Sequence, residues 1–131
     1  MSPDRSGRDW QLFLADMREF CRRIADYIDG RSQEEVFAEQ MRLDAVLRNL
    51  ELLGEAAKHI PPDIQQRHPQ IPWRRVAGLR DVLAHAYFGL DEATLWQTVS
   101  ESVPALDHQL AELEQTTALP AEEKPPEPHG I

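Results

Sequence analysis

Apolar residues recur at three- and four-residue intervals along almost the whole chain, and nowhere do they alternate over a strand's length. That period places side chains on one face of an α-helix, whereas strands require a period of two. Trp10, Phe13, Leu14, Met17, Cys21, Ile24 and Ile28 mark a first helix over roughly residues 9–29, ended near Gly30. Ser32, three residues before Glu35, has the spacing of a capping box. It opens a long second helix carrying Leu43, Val46, Leu47, Leu50, Leu53, Ala57 and Ile60 on one stripe. Gly54 interrupts that stripe at a cost of about 1 kcal/mol relative to alanine, so it marks a place where another helix approaches closely.

Proline supplies the punctuation. Pro61 and Pro62 stop the second helix because neither can donate to the ladder. Pro69 and Pro72 then define a rigid connector with room for a short helical turn. Pro72 suits the first turn of a third helix, where an N–H would lack a partner. That helix shows Trp73, Val76, Ala77, Leu79, Leu83 and Ala84 and reaches about Phe88, with Gly89 as its cap. Asp91 caps a fourth helix, with Leu90 and Leu95 as a hydrophobic staple. Its stripe is Leu95, Val99, Val103, Leu106, Leu110 and Leu113, kinked at Pro104. The fold class is therefore all-α: an antiparallel bundle of four main helices plus a short extra one. Residues 1–8 form an N-terminal extension, 9–116 the helical domain, and 117–131 a disordered Pro/Glu-rich tail.

Charge narrows the function. The 131 residues carry a formal charge of −9, which disfavours nonspecific coating of nucleic acid. The charge is uneven: net −4 over residues 1–55, +3 over 56–90 and −8 over 91–131. Any surface that meets phosphate belongs to the middle third, which also holds His59, His68 and His85. A single cysteine, Cys21, excludes an intrachain disulfide and a multi-thiolate metal site, and no run is long enough to span a membrane. A reducing cytoplasm is the expected compartment. No metal or other cofactor is expected, since the histidines and Cys21 lack helical ligand spacing.

The chemistry-bearing segment is Arg80-Asp81-Val82-Leu83-Ala84-His85-Ala86-Tyr87. On an ideal helix Tyr87 nearly eclipses Arg80, while His85 lies about 140° away. One straight helix does not unite Arg80 with His85. Either the helix unwinds after His85, or two copies meet about a two-fold axis and each supplies half of a cleft. Such a cleft suits RNA cleavage. An imidazole accepts or returns a proton near neutral pH, and a guanidinium offers a planar fork of donors to phosphate oxygens. The ribose 2′-hydroxyl is a built-in nucleophile, so no metal is needed. Each residue also has a plainer reading: His85 as a surface residue at a helix end, Tyr87 as a core-edge residue, and Arg80 paired with Asp81 or Glu55.

At these residues the chain resembles the HepT-like toxins of the HEPN superfamily (higher eukaryotes and prokaryotes nucleotide-binding domains). Arg80, Asp81, His85 and Tyr87 match that family's motif of Arg, four residues, His, one residue, Tyr. The likeness extends to Gly54-Glu55-Ala56, to His68-Pro69-Gln70-Ile71-Pro72-Trp73, and to Tyr87-Phe88-Gly89-Leu90-Asp91 and Trp96. The resemblance implies a homodimer that sets both motif copies in one cleft, and a metal-independent endoribonuclease with Arg80 and His85 as catalytic residues. Asp81 and Glu55 are expected as supporting residues that orient motif side chains. It further implies a toxin–antitoxin pair in which a minimal nucleotidyltransferase antitoxin transfers AMP to Tyr87. The acidic C-terminal third points to a narrow RNA substrate, such as one region of a tRNA.

The alternative is a noncatalytic HEPN module that only binds a nucleotidyltransferase; a zinc protein fits the spacing poorly. Trp73 and Trp96 read as packing anchors. Arg74 and Arg75 either extend a phosphate-binding surface or belong to a solvated face. Lys58 and His59 are expected near the cleft if the second helix packs on the third.

Overall fold

The structure, a computed structural model, describes residues 3–87 and 91–123, with side chains over residues 9–85 and 91–117. The order is α1 (Pro3–Ile28), α2 (Gln33–Ala38), α3 (Gln40–Ala57), α4 (Pro62–Arg67), α5 (Trp73–Ala77), α6 (Leu79–Tyr87), α7 (Glu92–Gln97), a π-helical turn (Thr98–Ser102) and α8 (Val103–Glu123). No strand occurs among the described residues, and none of their helices is long and apolar enough to cross a membrane. The expected all-α bundle is present. Three of its four main helices are interrupted, and α4 is the short extra one.

The predicted stripes build the core. Trp10, Leu14, Met17, Cys21 and Ile24 of α1 are buried against Val46, Leu47, Leu50, Leu53 and Ala57 of α3 and Val103, Leu106, Leu110 and Leu113 of α8. Helices α1 and α3 run antiparallel. Arg42, near the start of α3, donates from Nη1 to the Tyr27 carbonyl at 3.0 Å. At the other end His59 stacks on Phe13 with ring centroids 4.1 Å apart. Arg18 ties α1 to α8 through Asp107 at 3.1 Å and Glu114 at 2.8 Å.

Local signals act where expected. Ser32 and Glu35 form the reciprocal capping box. Gly30 takes φ +71°, a left-handed conformation that a side chain would strain. The Asp91 carboxylate caps α7 by accepting from Thr94 N at 3.1 Å. Trp73 is buried and donates from Nε1 to the His68 carbonyl at 3.1 Å; Trp96 meets Phe37 edge to face.

Four differences have physical causes. The first helix begins at Pro3, inside the expected extension, since proline is at home in a first turn. The second helix breaks at Glu39, whose backbone is extended (φ −106°, ψ 97°). The break lets Val36 turn into the core and Phe37 reach Trp96, and Glu39 accepts from the Arg42 guanidinium at 2.8 Å. The third helix breaks at Gly78, whose N–H is shared between the Arg74 and Arg75 carbonyls; Ala84, expected on its apolar stripe, is exposed. In the fourth, the turn at Thr98–Ser102 is π-helical, with Val103 N bonded to Thr98 O. That wider turn accommodates Pro104, which cannot donate and whose ring would crowd the carbonyl four residues back.

Helix α8 also runs to Glu123, through residues 117–123 that the sequence reading assigns to the tail. The Thr117 hydroxyl donates to the Leu113 and Glu114 carbonyls, and elongation of an existing helix adds one bond per residue fixed. The rest of the tail (124–131), the Gly89 cap and the Leu90 half of the staple lie outside the described residues.

Candidate active site

The motif rides on α6. Leu79 and Leu83 are buried and Val82 is half-buried, which fixes one face of this short helix to the core. Arg80, Asp81 and His85 are exposed on the remainder. The helix is set close to α3 by Gly54: a Cβ there would stand 3.1 Å from the Val76 carbonyl oxygen and 3.5 Å from the Leu79 Cβ. A contact near 3.1 Å leaves almost no room for a side chain, so the bare backbone of Gly54 decides how near the α5–α6 break approaches. This is the close approach expected from a glycine inside an apolar stripe.

Asp81 and His85, four residues apart, stack on one edge of α6. They face Asp91 and Thr94 of the next turn across a hollow of about 90 Å³, floored by Val82. Hydrogen bonding from Thr94, side chain first and then backbone, together with the charge of nearby His85, holds the Asp91 carboxyl below its ordinary range. Asp91 therefore stays ionised on the wall of the hollow that His85 also lines. The sequence pointed to it only as a helix cap. Its six-residue distance from His85 in the sequence was the available signal.

Arg80 does not line this hollow. It stands on the neighbouring column of α6, and among the described residues its guanidinium has no hydrogen-bond or ion-pair partner. Pairing with Asp81 or Glu55 is thus not the arrangement seen. Nor does the helix unwind after His85, since it continues to Tyr87. A single copy unites Asp81, His85 and Asp91 and leaves Arg80 on a different edge. The Tyr87 side chain lies outside the described ones.

The other candidates scatter. Glu55 accepts from Lys58 Nζ at 3.2 Å, one turn along the end of its own helix. His59, expected near the cleft, stacks on Phe13 of α1 instead. Burial pushes the Cys21 thiol up to about 12, so it is a core side chain with no thiolate at neutral pH. Arg74 and Arg75 are exposed on a cleft that adjoins Asp81.

Comparison with known proteins bears on the same segment. Residues 17–113 match the family described as "Ribonuclease HepT-like". A "Probable ribonuclease HepT" from Thermococcus cleftensis is 42% identical over 102 residues, covering 78% of this chain and 90% of that protein. A putative RNase from Caldanaerobacter subterraneus is 32% identical over 103 residues, covering 79% and 92%. A putative RNase from Methanocaldococcus jannaschii is 39% identical over 99 residues, covering 76% and 82%. No solved structure matches the chain. The matched span runs from the core stripe of α1 to that of α8 and includes Gly54, Arg80, Asp81, His85, Tyr87 and Asp91. By sequence, fold and the motif carried on α6, the chain belongs to the HepT-like ribonuclease family.

Proposed function

We propose that the protein is a metal-independent endoribonuclease whose cleft forms when two copies pair about a two-fold axis. The observation that carries this reading is the solvent-facing display of Arg80 and His85 on different edges of a helix that is otherwise anchored in the core. A twofold contact near the axis brings one copy's Arg80 to the other copy's His85, which neither copy does alone.

The chemistry follows from the groups. His85 takes the proton of the ribose 2′-hydroxyl, and the 2′-oxygen attacks phosphorus to form a new P–O bond. The bond to the 5′-oxygen breaks, and a protonated imidazole returns the proton to that leaving oxygen. Arg80 donates to the phosphate oxygens as charge grows on them. Asp81 and Asp91 line the same hollow as His85 and supply negative charge on the side of the imidazole away from the phosphate.

In this reading the protein is the toxin of a toxin–antitoxin pair, and a nucleotidyltransferase partner silences it by transferring AMP to Tyr87. Tyr87 lies seven residues from Arg80, nearly two full turns, and so on the same side of α6. A phosphodiester there adds bulk and negative charge where substrate phosphate must sit.

Expression of the chain alone, against Arg80→Ala and His85→Ala, tests the nuclease. Growth arrest and RNA cleavage by wild type, with cleavage reduced by about 10²-fold or more in each variant, is the expected result. Equal growth with all three chains would reject it in favour of a noncatalytic partner-binding module. For Tyr87, intact mass after co-expression with the nucleotidyltransferase should rise by whole adenylate units, and Tyr87→Phe should abolish the rise.

A further inference from the structure

The hollow beside His85 does not end at Asp81. It shares Asp81, Val82 and Thr94 with a larger cleft of about 560 Å³ between the α5–α6 break and the α7–π-turn segment. That volume falls within the roughly 300–1,000 Å³ of sites that hold small organic groups. Its floor is apolar (Val76, Leu79, Val82, Leu106), and its rim carries Gln97, Thr98 and Ser102. At the far end the cleft shares Pro72, Arg74 and Arg75 with a further hollow edged by Gln65 and Gln66. The three hollows thus adjoin one another through shared walls, in a row that leads from His85 to two arginines.

The charge along the groove is ordered. Among the described residues Asp81 is the one carboxylate on the wall of the larger cleft, and it lies at the His85 end. Arg74 and Arg75 are exposed at the other end, and among the described residues neither is paired with a carboxylate. An apolar slot edged by hydroxyls and an amide, followed by unneutralised guanidinium groups, fits a base and then its phosphates. A folded duplex would present its phosphates on a wide convex surface that a slot of this size does not admit. A single strand with a splayed base does fit.

We propose that this groove is a track for single-stranded RNA flanking the cleavage point: one base rests on the apolar floor, and Arg74 and Arg75 hold the phosphates beyond it. The proposal rests on the nuclease reading for its substrate, but it predicts binding that needs no cleavage.

The probe is a fluorescein-labelled single-stranded RNA of mixed sequence with 2′-O-methyl riboses, which cannot be cut, followed by anisotropy against the full-length protein over a range of salt. The Arg74→Glu/Arg75→Glu double variant should bind at least tenfold more weakly. Its log–log salt slope should be shallower by about 1.4, at ~0.7 for each phosphate no longer neutralised. Gln97→Trp, which fills the slot, should weaken binding while leaving the salt slope intact. Unchanged affinity in the double variant, or no binding by wild type, overturns the track. So does a double variant that keeps its RNA affinity but loses self-association, which would make this face a protein interface. Arginine-dependent binding by a wild-type protein that never cleaves RNA supports the track while removing the nuclease reading. Cleavage by a protein indifferent to both charge reversals does the opposite.

Discussion

Along α1, from Trp10 to Ile24, every third or fourth side chain disappears into the core, and the arginines between them are bound up in ion pairs such as Arg22 with Glu19 and Asp26. Along α6, from Arg80 to His85, four of six residues face solvent, and Arg80 is without a partner among the described residues. Both are amphipathic helices. The first spends its polar face on stabilising its own surface; the second leaves its polar face open and is held, among the described side chains, by Leu79, Val82 and Leu83. Site residues that bind nothing within the fold contribute little to stability, so the scaffold must hold them in place from behind. The division of labour is visible in the lengths: α1, α3 and α8 have 26, 18 and 21 residues, whereas α5, α6 and α7 have 5, 9 and 6.

Substitutions in the two regions should separate stability from activity. The largest loss is expected at Leu50, fully buried where α3 meets its neighbours. Leu50→Ala should cost about 2–5 kcal/mol in chemical denaturation, enough to threaten the fold of a domain this size. A midpoint shift equivalent to less than about 1 kcal/mol would mean that the core collapses around the cavity.

Gly54 stands between the regions. Gly54→Val should cost about 1–3 kcal/mol, because an isopropyl group must displace the Val76 backbone rather than a flexible side-chain tip. Gly54→Ala is the sharper probe. Its gain in helix propensity offsets part of the strain, so RNA cleavage should fall further than stability does as the α5–α6 break is pushed outward. Equal wild-type activity and stability would show that the approach of α6 to α3 does not position the site.

Next in size is Arg18, which joins α1 to α8 with a side chain still about one-third exposed. Arg18→Ala should cost no more than about 1 kcal/mol, and raising the salt should shrink the difference. The smallest effect belongs to the motif. Arg80→Ala and His85→Ala should leave the denaturation midpoint within about 0.5 kcal/mol of wild type although cleavage is lost. If either variant unfolds the domain, the contrast between scaffold and site fails.

Much of this was legible beforehand. The stripes of α1, α3 and α8 repeat one period, and burial followed them, with Phe13, Ile28 and Leu43 half-buried at their edges, because a helix has only one face to give to a core. Gly54, the Ser32–Glu35 box and the Asp91 cap were readable because each is a local device with a defined spacing. The breaks at Glu39 and Gly78 were not. Glu39 is no helix breaker, and the chain bends there so that Val36 and Phe37 can pack, a tertiary gain that outweighs local propensity. That Asp91 shares a wall with His85 was only partly legible, since it depends on how α7 packs on α6.

The order of residues alone settled the helical period, the places where proline and glycine interrupt it, and the presence of Arg80, His85 and Tyr87 at their spacing. Those are properties of consecutive residues, set by local sterics and hydrogen bonding. Packing decided which edge of α6 meets Asp91, where the long helices divide, and that Arg80 and His85 stand apart within one copy. These depend on contacts between segments distant in sequence, whose relative positions no local period encodes.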